Sequence, residues 1–293
     1  MLTYEEAKVT ILAHAEAQES EKVDFRNSVG RALAETLVAL EDQPPFDNSA
    51  VDGYAVKLNE IAKATSENSV VLRCQEYIFA GRLDTISLQE GECVQVATGA
   101  PMPLGSDAVV MREQVVRKDD QVYFSHPTQN GNNLRRRGRD MSIGDPLFPV
   151  GTTIAPTHLV LLAAQGLVEV PLYRRLKINI LSTGTELVDP TIKPGPGQIR
   201  EANSFLLEAL LQTEACKVTR LHRVVDDLEG TVKVLNEALQ ADALLVSGGV
   251  SVGDSDFVKP ALKELGVEEI FWRVKIKPGK PLIFGKLGDT KVF

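Results

Sequence analysis

The sequence predicts a multi-domain α/β plus β protein, in which a parallel α/β domain follows a small all-β module, and three observations carry that prediction. The chain is 293 residues long, more than one hydrophobic core usually serves, so two or three domains are expected. From Leu176 onward short apolar runs alternate with helical patterns, and polar loops follow the runs, as in a parallel sheet with right-handed crossovers. Between about residues 45 and 133 the runs are short and punctuated by Gly81, Gly91 and Gly99, as in an all-β unit.

Composition narrows the function classes. An apolar fraction of 43% with 25% charged residues suits a soluble globular protein. A net charge of −8 argues against nucleic acid or an anionic membrane as the main partner. Cys74, Cys93 and Cys216 are odd in number and widely spaced, which suits a reducing compartment without a disulfide framework. His14, His126, His158 and His222 fall at no zinc-ligand spacing with them. Met1–Ala17 carries Glu5, Glu6 and Lys8 without an apolar block, and no run is long enough to span a membrane, so a cytoplasmic location is expected.

In chain order, Thr3 is placed to cap a first helix with Glu6 as its capping-box partner, and Leu2, Ala7, Ile11, Leu12 and Ala15 form its apolar stripe. A turn at Asn27–Gly30 precedes a helix or strand over Ala32–Leu40. Asp42–Val56 holds paired prolines and the turn formers Asp47, Asn48, Ser49, Asp52 and Gly53; so stiff a polar loop marks either a domain boundary or a site. Strands are expected at Val70–Tyr77, Gly91–Val96 and Ala108–Met111, with a hairpin around Lys118-Asp119-Asp120. Leu134–Asp140 is the dense basic cluster, either a bidentate phosphate holder or a solvated charge run. Thr157 is expected to cap a helix that runs to Gln165 and ends at Gly166.

The α/β region supplies strands at Leu176–Leu181, Lys217–Val225, Ala243–Val246, Phe271–Ile276 and Pro281–Phe284. Helices are expected at Ser204–Leu211, with Asn203 as cap, at Val232–Leu239, and near Pro260. The glycine turn Ser247–Gly253 ends a buried strand, so free N–H groups would face an anion there, and the acids Asp254 and Asp256 beside it call for a bridging cation. Four polar loops (Ser182–Glu186, Asp226-Asp227, Ser247–Asp256 and Lys277–Lys280) would gather at one sheet edge. Lysines and amides there suit phosphate or an oxyanion, while Glu186, Asp226 and Asp256 suit a divalent cation such as Mg²⁺. No Ser–His–Asp or Cys–His arrangement stands out, so the chemistry is expected to be electrostatic and metal-assisted.

Seven stretches together resemble the MoeA family of molybdopterin molybdenumtransferases, related to the gephyrin E domain. They are PPFDNSAVDGYAV (44–56), ATGAPMP (97–103), NLRRRGRDMSIG (133–144), LSTGTEL (181–187), GQIREANSFLL (197–207), SGGVSVGDSDF (247–257) and IKPGKP (276–281). The resemblance implies an elongated discontinuous domain (1–44 and 134–172), an inserted small β domain (45–133) and an α/β molybdopterin-binding domain (173–293). It implies that molybdenum from molybdate is inserted into adenylylated molybdopterin with release of AMP and a need for Mg²⁺. Asp52 and Thr98 would close the site across a homodimer interface. Arg135, Arg136 and Arg137 would bring cationic charge, and Asp140 would orient them. Glu186, Asp226 and Asp256 would serve the cation or water. Ser182 and Thr183 would contact substrate; Ser247, Gly248, Gly249, Ser251 and Gly253 would cradle the pterin phosphate; Lys277 and Lys280 would hold molybdate or phosphate. The molybdopterin adenylyltransferase is an expected partner.

Two departures stand out. Arg139 occupies a position where family members often carry an acid. Relatives continue past the position of Phe293 into a further loop, a helix and a C-terminal β-barrel domain, so the chain is expected to be a C-terminally truncated member with that domain missing. The alternatives are a competence-damage-like nucleotide pyrophosphatase, which leaves the PPFDNSAVDGYAV loop and the arginines unexplained, and a non-catalytic scaffold, which needs neither the acids nor the lysines.

Overall fold

A computed structural model describes residues 1–82, 86–223, 227–248 and 257–293. The chain divides into two units, Thr36–Phe148 and the pair of segments Met1–Glu35 and Pro149–Phe293.

The Thr36–Phe148 unit is built on a six-stranded sheet: β1 (Gly53–Val56), β2 (Val70–Ile78), β3 (Glu92–Val96), β4 (Ala108–Met111), β5 (Val115–Lys118) and β6 (Gln121–Phe124), in the order β4-β1-β3-β2-β6-β5. Strand alternation decides its packing. Tyr54 and Val56 join Ile61, Leu72, Val110 and Phe124 in one cluster, while Ala55 joins Ile78, Val94, Val96 and Val109 in another. Both sides are buried, and β1 is buried along its whole length. Gly53 is required where β1 meets β4, because a Cβ there would lie 2.2 Å from the Val110 carbonyl oxygen. The β2–β3 pairing is parallel and sets Cys74 opposite Cys93 as free thiols.

The other unit begins with α1 (Tyr4–Ala13), where the expected capping box forms: Thr3 accepts from the Glu6 N–H and Glu6 accepts from the Thr3 N–H. The apolar stripe is narrower than expected. Ala7 is buried and Leu2 and Ile11 pack beside Phe271, Val274 and Phe284, but Leu12 is 61% exposed and Ala15 is also exposed. The Ala32–Leu40 segment is extended rather than helical, bridging Ala32 to Thr153 and Leu33 to Leu172. Ser20–Asp24 pairs with Glu169–Tyr173 in an antiparallel ribbon. Thr157 precedes α2 (His158–Ala164) but makes no side-chain capping bond.

The second six-stranded sheet contains β7 (Leu176–Thr183), β8 (Cys216–Arg223), β9 (Ala243–Ser247), β10 (Glu268–Trp272), β11 (Ile283–Leu287) and β12 (Thr290–Val292), in the order β8-β7-β9-β12-β11-β10. The first four strands of that order are mutually parallel, and β11 alone runs against the rest. The parallel sheet therefore ends in an antiparallel edge, because the short Gly288-Asp289 turn can join only antiparallel neighbours. The strand expected at Phe271–Ile276 lies earlier, since Arg273 turns left-handed with φ 73°. Three helices connect the sheet: α3 (Asn203–Leu211), α4 (Leu228–Ala238) and α5 (Val258–Glu264). The last two pack with Leu181, Leu244 and Val292. Among the described residues no helix is long and apolar enough to cross a membrane.

Candidate functional site

In the Thr36–Phe148 unit, three of the singled-out stretches meet. The Ser49 carbonyl accepts from the Gly99 N–H at 2.8 Å, and Asn48-Ser49 pairs with Leu134-Arg135. Asp52 thereby faces Thr98. Its Oδ1 accepts from both the Thr98 N–H (2.7 Å) and hydroxyl (3.1 Å). The Thr98 N–H first and the hydroxyl second hold the Asp52 carboxyl below the usual carboxylate range.

The arginines are oriented by acids, though not by the expected one. Arg136 Nη1 donates to Asp47 Oδ2 (2.7 Å), the Arg137 N–H to Asp47 Oδ1 (2.8 Å), and Arg137 Nε to Asp42 Oδ2 (2.6 Å). Burial works to raise the Asp47 pKa, but the Arg137 N–H and the Arg136 guanidinium outweigh it and hold the carboxyl low. Asp140 is exposed and is tied through its backbone N–H to the Gln43 carbonyl. Asp42 and Asp47 thus take the role expected of Asp140; both lay in a loop read for its turn formers rather than for its charges. Arg135 is exposed and forms no ion pair among the described residues.

In the other unit, strand direction decides what can assemble. Because β7, β8, β9 and β10 run the same way, the chain leaves all four at one edge. The connection after β7 leads through α3 to β8 on one side, whereas the chain after β9 proceeds to the other side. The ends of β7 and β9 therefore flank a topological switch point, where open α/β sheets bind ligands. Ser182 and Ser247 are register partners there. The two turns approach so closely that a Cβ on Gly248 (φ 103°) would lie 2.6 Å from the Thr183 carbonyl oxygen. Glu186 folds over Gly184, whose added Cβ would meet the carboxylate at 2.5 Å. Glu186, Lys277 and Lys280 are exposed, and their side chains form no hydrogen bond or ion pair among the described residues.

Ser182 is a correction. It is 1% exposed and its hydroxyl donates to Glu201 Oε1 at 3.2 Å, so its side chain has no face open to a substrate. The start of α3 is also unlike the expectation: Asn203 is its first residue, and the Glu201 carboxylate, not Asn203, accepts from the Ser204 N–H. Glu201 lay in a recognised stretch without an assigned role, and Asn203 with that of a helix cap alone, since nothing in the residue types showed which strand end they would reach. Asp226, Gly249, Ser251, Gly253 and Asp256 lie outside the described residues. Neighbouring Asp227 caps α4 by accepting from the Gly230 N–H. Among the described residues no group of three His, Cys, Asp or Glu side chains forms a metal site.

Comparison with known proteins agrees with this architecture. Residues 2–166 match the MoeA N-terminal region (domain I and II), and residues 179–293 match the family described as a probable molybdopterin binding domain. The chain is 38% identical to a molybdopterin molybdenumtransferase of Haemophilus influenzae, aligning 99% of its own length with 71% of that protein. It is 37% identical to one of Synechococcus elongatus, over 90% of this chain and 66% of the relative. The crystal structure of a molybdopterin biosynthesis MoeA protein from Pyrococcus horikoshii superposes with a TM-score of 0.88 at 28% identity, covering 100% of this chain and 74% of that one. The chain belongs to the MoeA family of molybdopterin molybdenumtransferases.

Proposed function

We propose that this chain inserts molybdenum from molybdate into adenylylated molybdopterin and releases AMP, within molybdenum cofactor biosynthesis. The observation that carries the reading is the switch point at the ends of β7 and β9, where Gly248 and the Thr183 carbonyl bring two turns together beside Ser247. A phosphate held at such a crevice meets backbone amides and hydroxyls.

Each residue then has a chemical task. Lys277 and Lys280, exposed and without a described carboxylate partner, neutralise molybdate or phosphate oxygens. Arg135 offers a full positive charge, whereas Arg136 and Arg137 share theirs with Asp47 and Asp42. Asp52 keeps Oδ2 for a water or a proton, since both Thr98 bonds fall on Oδ1. Thr183 and Gly248 contribute backbone atoms to the phosphate cradle, which Gly249, Ser251 and Gly253 extend. An exposed carboxylate such as Glu186 is a hard oxygen donor of the kind Mg²⁺ prefers. Glu186, with Asp226 and Asp256, would hold Mg²⁺, which when bound supplies charge neutralisation at the pyrophosphate link. We further propose a cytoplasmic homodimer that receives its substrate from the molybdopterin adenylyltransferase; light scattering tests the dimer, and a monomer at micromolar concentration overturns it.

The test of the activity is direct. Purified chain with adenylylated molybdopterin, molybdate and Mg²⁺ is expected to release AMP and yield molybdenum-loaded cofactor, read by chromatography and metal analysis. AMP release no faster than without protein overturns the assignment.

A further inference from the structure

Hydrogen bonds from Ser182 and Ser204 converge on Glu201, which is 6% exposed. The Ser182 hydroxyl reaches its Oε1 at 3.2 Å, the Ser204 N–H reaches Oε1 at 2.8 Å, and the Ser204 hydroxyl reaches Oε2 at 2.6 Å. Ser182 ends β7 and Ser204 lies in the first turn of α3, so one carboxylate fastens the helix to the strand. An ionised carboxylate can only accept, which matches the Ser182 and Ser204 donors aimed at it. The fastening has a further consequence. It fixes the preceding residue, Asn203, so that its side-chain Nδ2 donates to the Ser247 hydroxyl oxygen at 3.2 Å. Ser247 is the first residue of the glycine turn and the register partner of Ser182.

We propose that Glu201 and Asn203 are positioning residues for the molybdopterin site: Glu201 locks the start of α3, and Asn203 orients the Ser247 hydroxyl toward the substrate. The inference rests on the transferase reading and deepens it. The polarity is specific. Asn203 occupies a lone pair on Ser247 Oγ, which leaves the Ser247 hydrogen available to donate to a phosphate oxygen. The same geometry removes a rival anion site. The N-terminal N–H of Ser204 is already spent on Glu201, so α3 offers that amide to no phosphate, and recognition shifts to the Ser247–Gly248 side of the crevice.

A mutant cycle on the full chain tests this, with molybdopterin binding measured by titration alongside kcat, KM and thermal stability. Asn203→Ala and Ser247→Ala are each expected to weaken binding about tenfold, the worth of one hydrogen bond to a charged group. KM should rise more than kcat falls, and the melting temperature should stay within about 2 °C, as for a surface change. The double variant is expected to be no weaker than the worse single one, because Asn203 acts through Ser247. Glu201→Gln, which puts a donor against donors, should weaken binding by at least as much and also lower the melting temperature; adding Asn203→Ala to it should produce no further loss. If Asn203→Ala or Glu201→Gln binds molybdopterin as wild type does, or if the Asn203 and Ser247 effects multiply, the proposal is overturned. Should Glu201→Gln fail to fold, the Asn203–Ser247 cycle still decides. A wild-type chain that binds no molybdopterin overturns the transferase reading and this inference together, whereas wild-type binding with an unaffected Asn203→Ala overturns this inference alone.

Discussion

Asp52 accepts both Thr98 bonds on a single oxygen, and this has a pH signature. Its carboxyl pKa is depressed in the folded chain. A depressed value means that the stabilisation is complete above the unfolded value of about 3.9 and is lost as pH falls through the lower folded value. Carbon-13 titration of the Asp52 carboxyl should show a midpoint below about 3.9. Thr98→Ala removes the hydroxyl but keeps the N–H, so the midpoint should move only part of the way back; a wild-type midpoint at the ordinary value would refute the assignment. Gly248 makes a second claim at this scale. With φ at 103° and the Thr183 oxygen 2.6 Å from any added Cβ, Gly248→Ala should lower unfolding stability by about 1–3 kcal/mol in a denaturant titration. An unchanged midpoint would mean that the two turns separate at no expense. Neither residue's geometry could be read from its letter alone: the glycines announced close approach, but only strand register says to what.

Helix starts show what local sequence can and cannot specify. Thr3 and Thr157 look alike on paper, each a threonine before an apolar stretch. Thr3 caps reciprocally with Glu6, whereas Thr157 makes no capping bond. Thr3→Ala should therefore destabilise the chain by about 1 kcal/mol, and Thr157→Ala by much less, both read as shifts in the denaturation midpoint. Equal losses would contradict the caps described. The capping box was legible because its partners are three residues apart. Strands of the α/β sheet were legible for a similar reason, since buried parallel strands are continuous apolar runs. The antiparallel edge was harder to see. It depends on the short Gly288-Asp289 turn and the left-handed Arg273, which set strand direction rather than strand composition. Glu201 was illegible for yet another reason: its partners, Ser182 and Ser204, are brought together only by packing α3 against β7.

At the scale of the molecule, the Thr36–Phe148 unit has its own two-sided core and its own paired entry and exit, Leu37 opposite Phe148. We expect residues 36–148, expressed alone, to unfold cooperatively with a dispersed amide spectrum; a collapsed, undispersed spectrum would show that the unit needs the rest of the chain. The resemblance set the arginines in a domain apart from Asp52 and Thr98, whereas the fold holds all of them in one unit and the strand-end serines and lysines in the other. The bridge from Leu2 to Val274 carries a consequence for biosynthesis. Helix α1 packs on Phe271, Val274 and Phe284, residues that emerge some 270 positions later. At ribosomal rates of about 5–20 residues per second, α1 waits roughly 15–55 s for its partners, while the Thr36–Phe148 unit can close long before. During that interval the side of α1 that carries Ala7 and Ile11 lacks the surface it packs on and is open to chaperones.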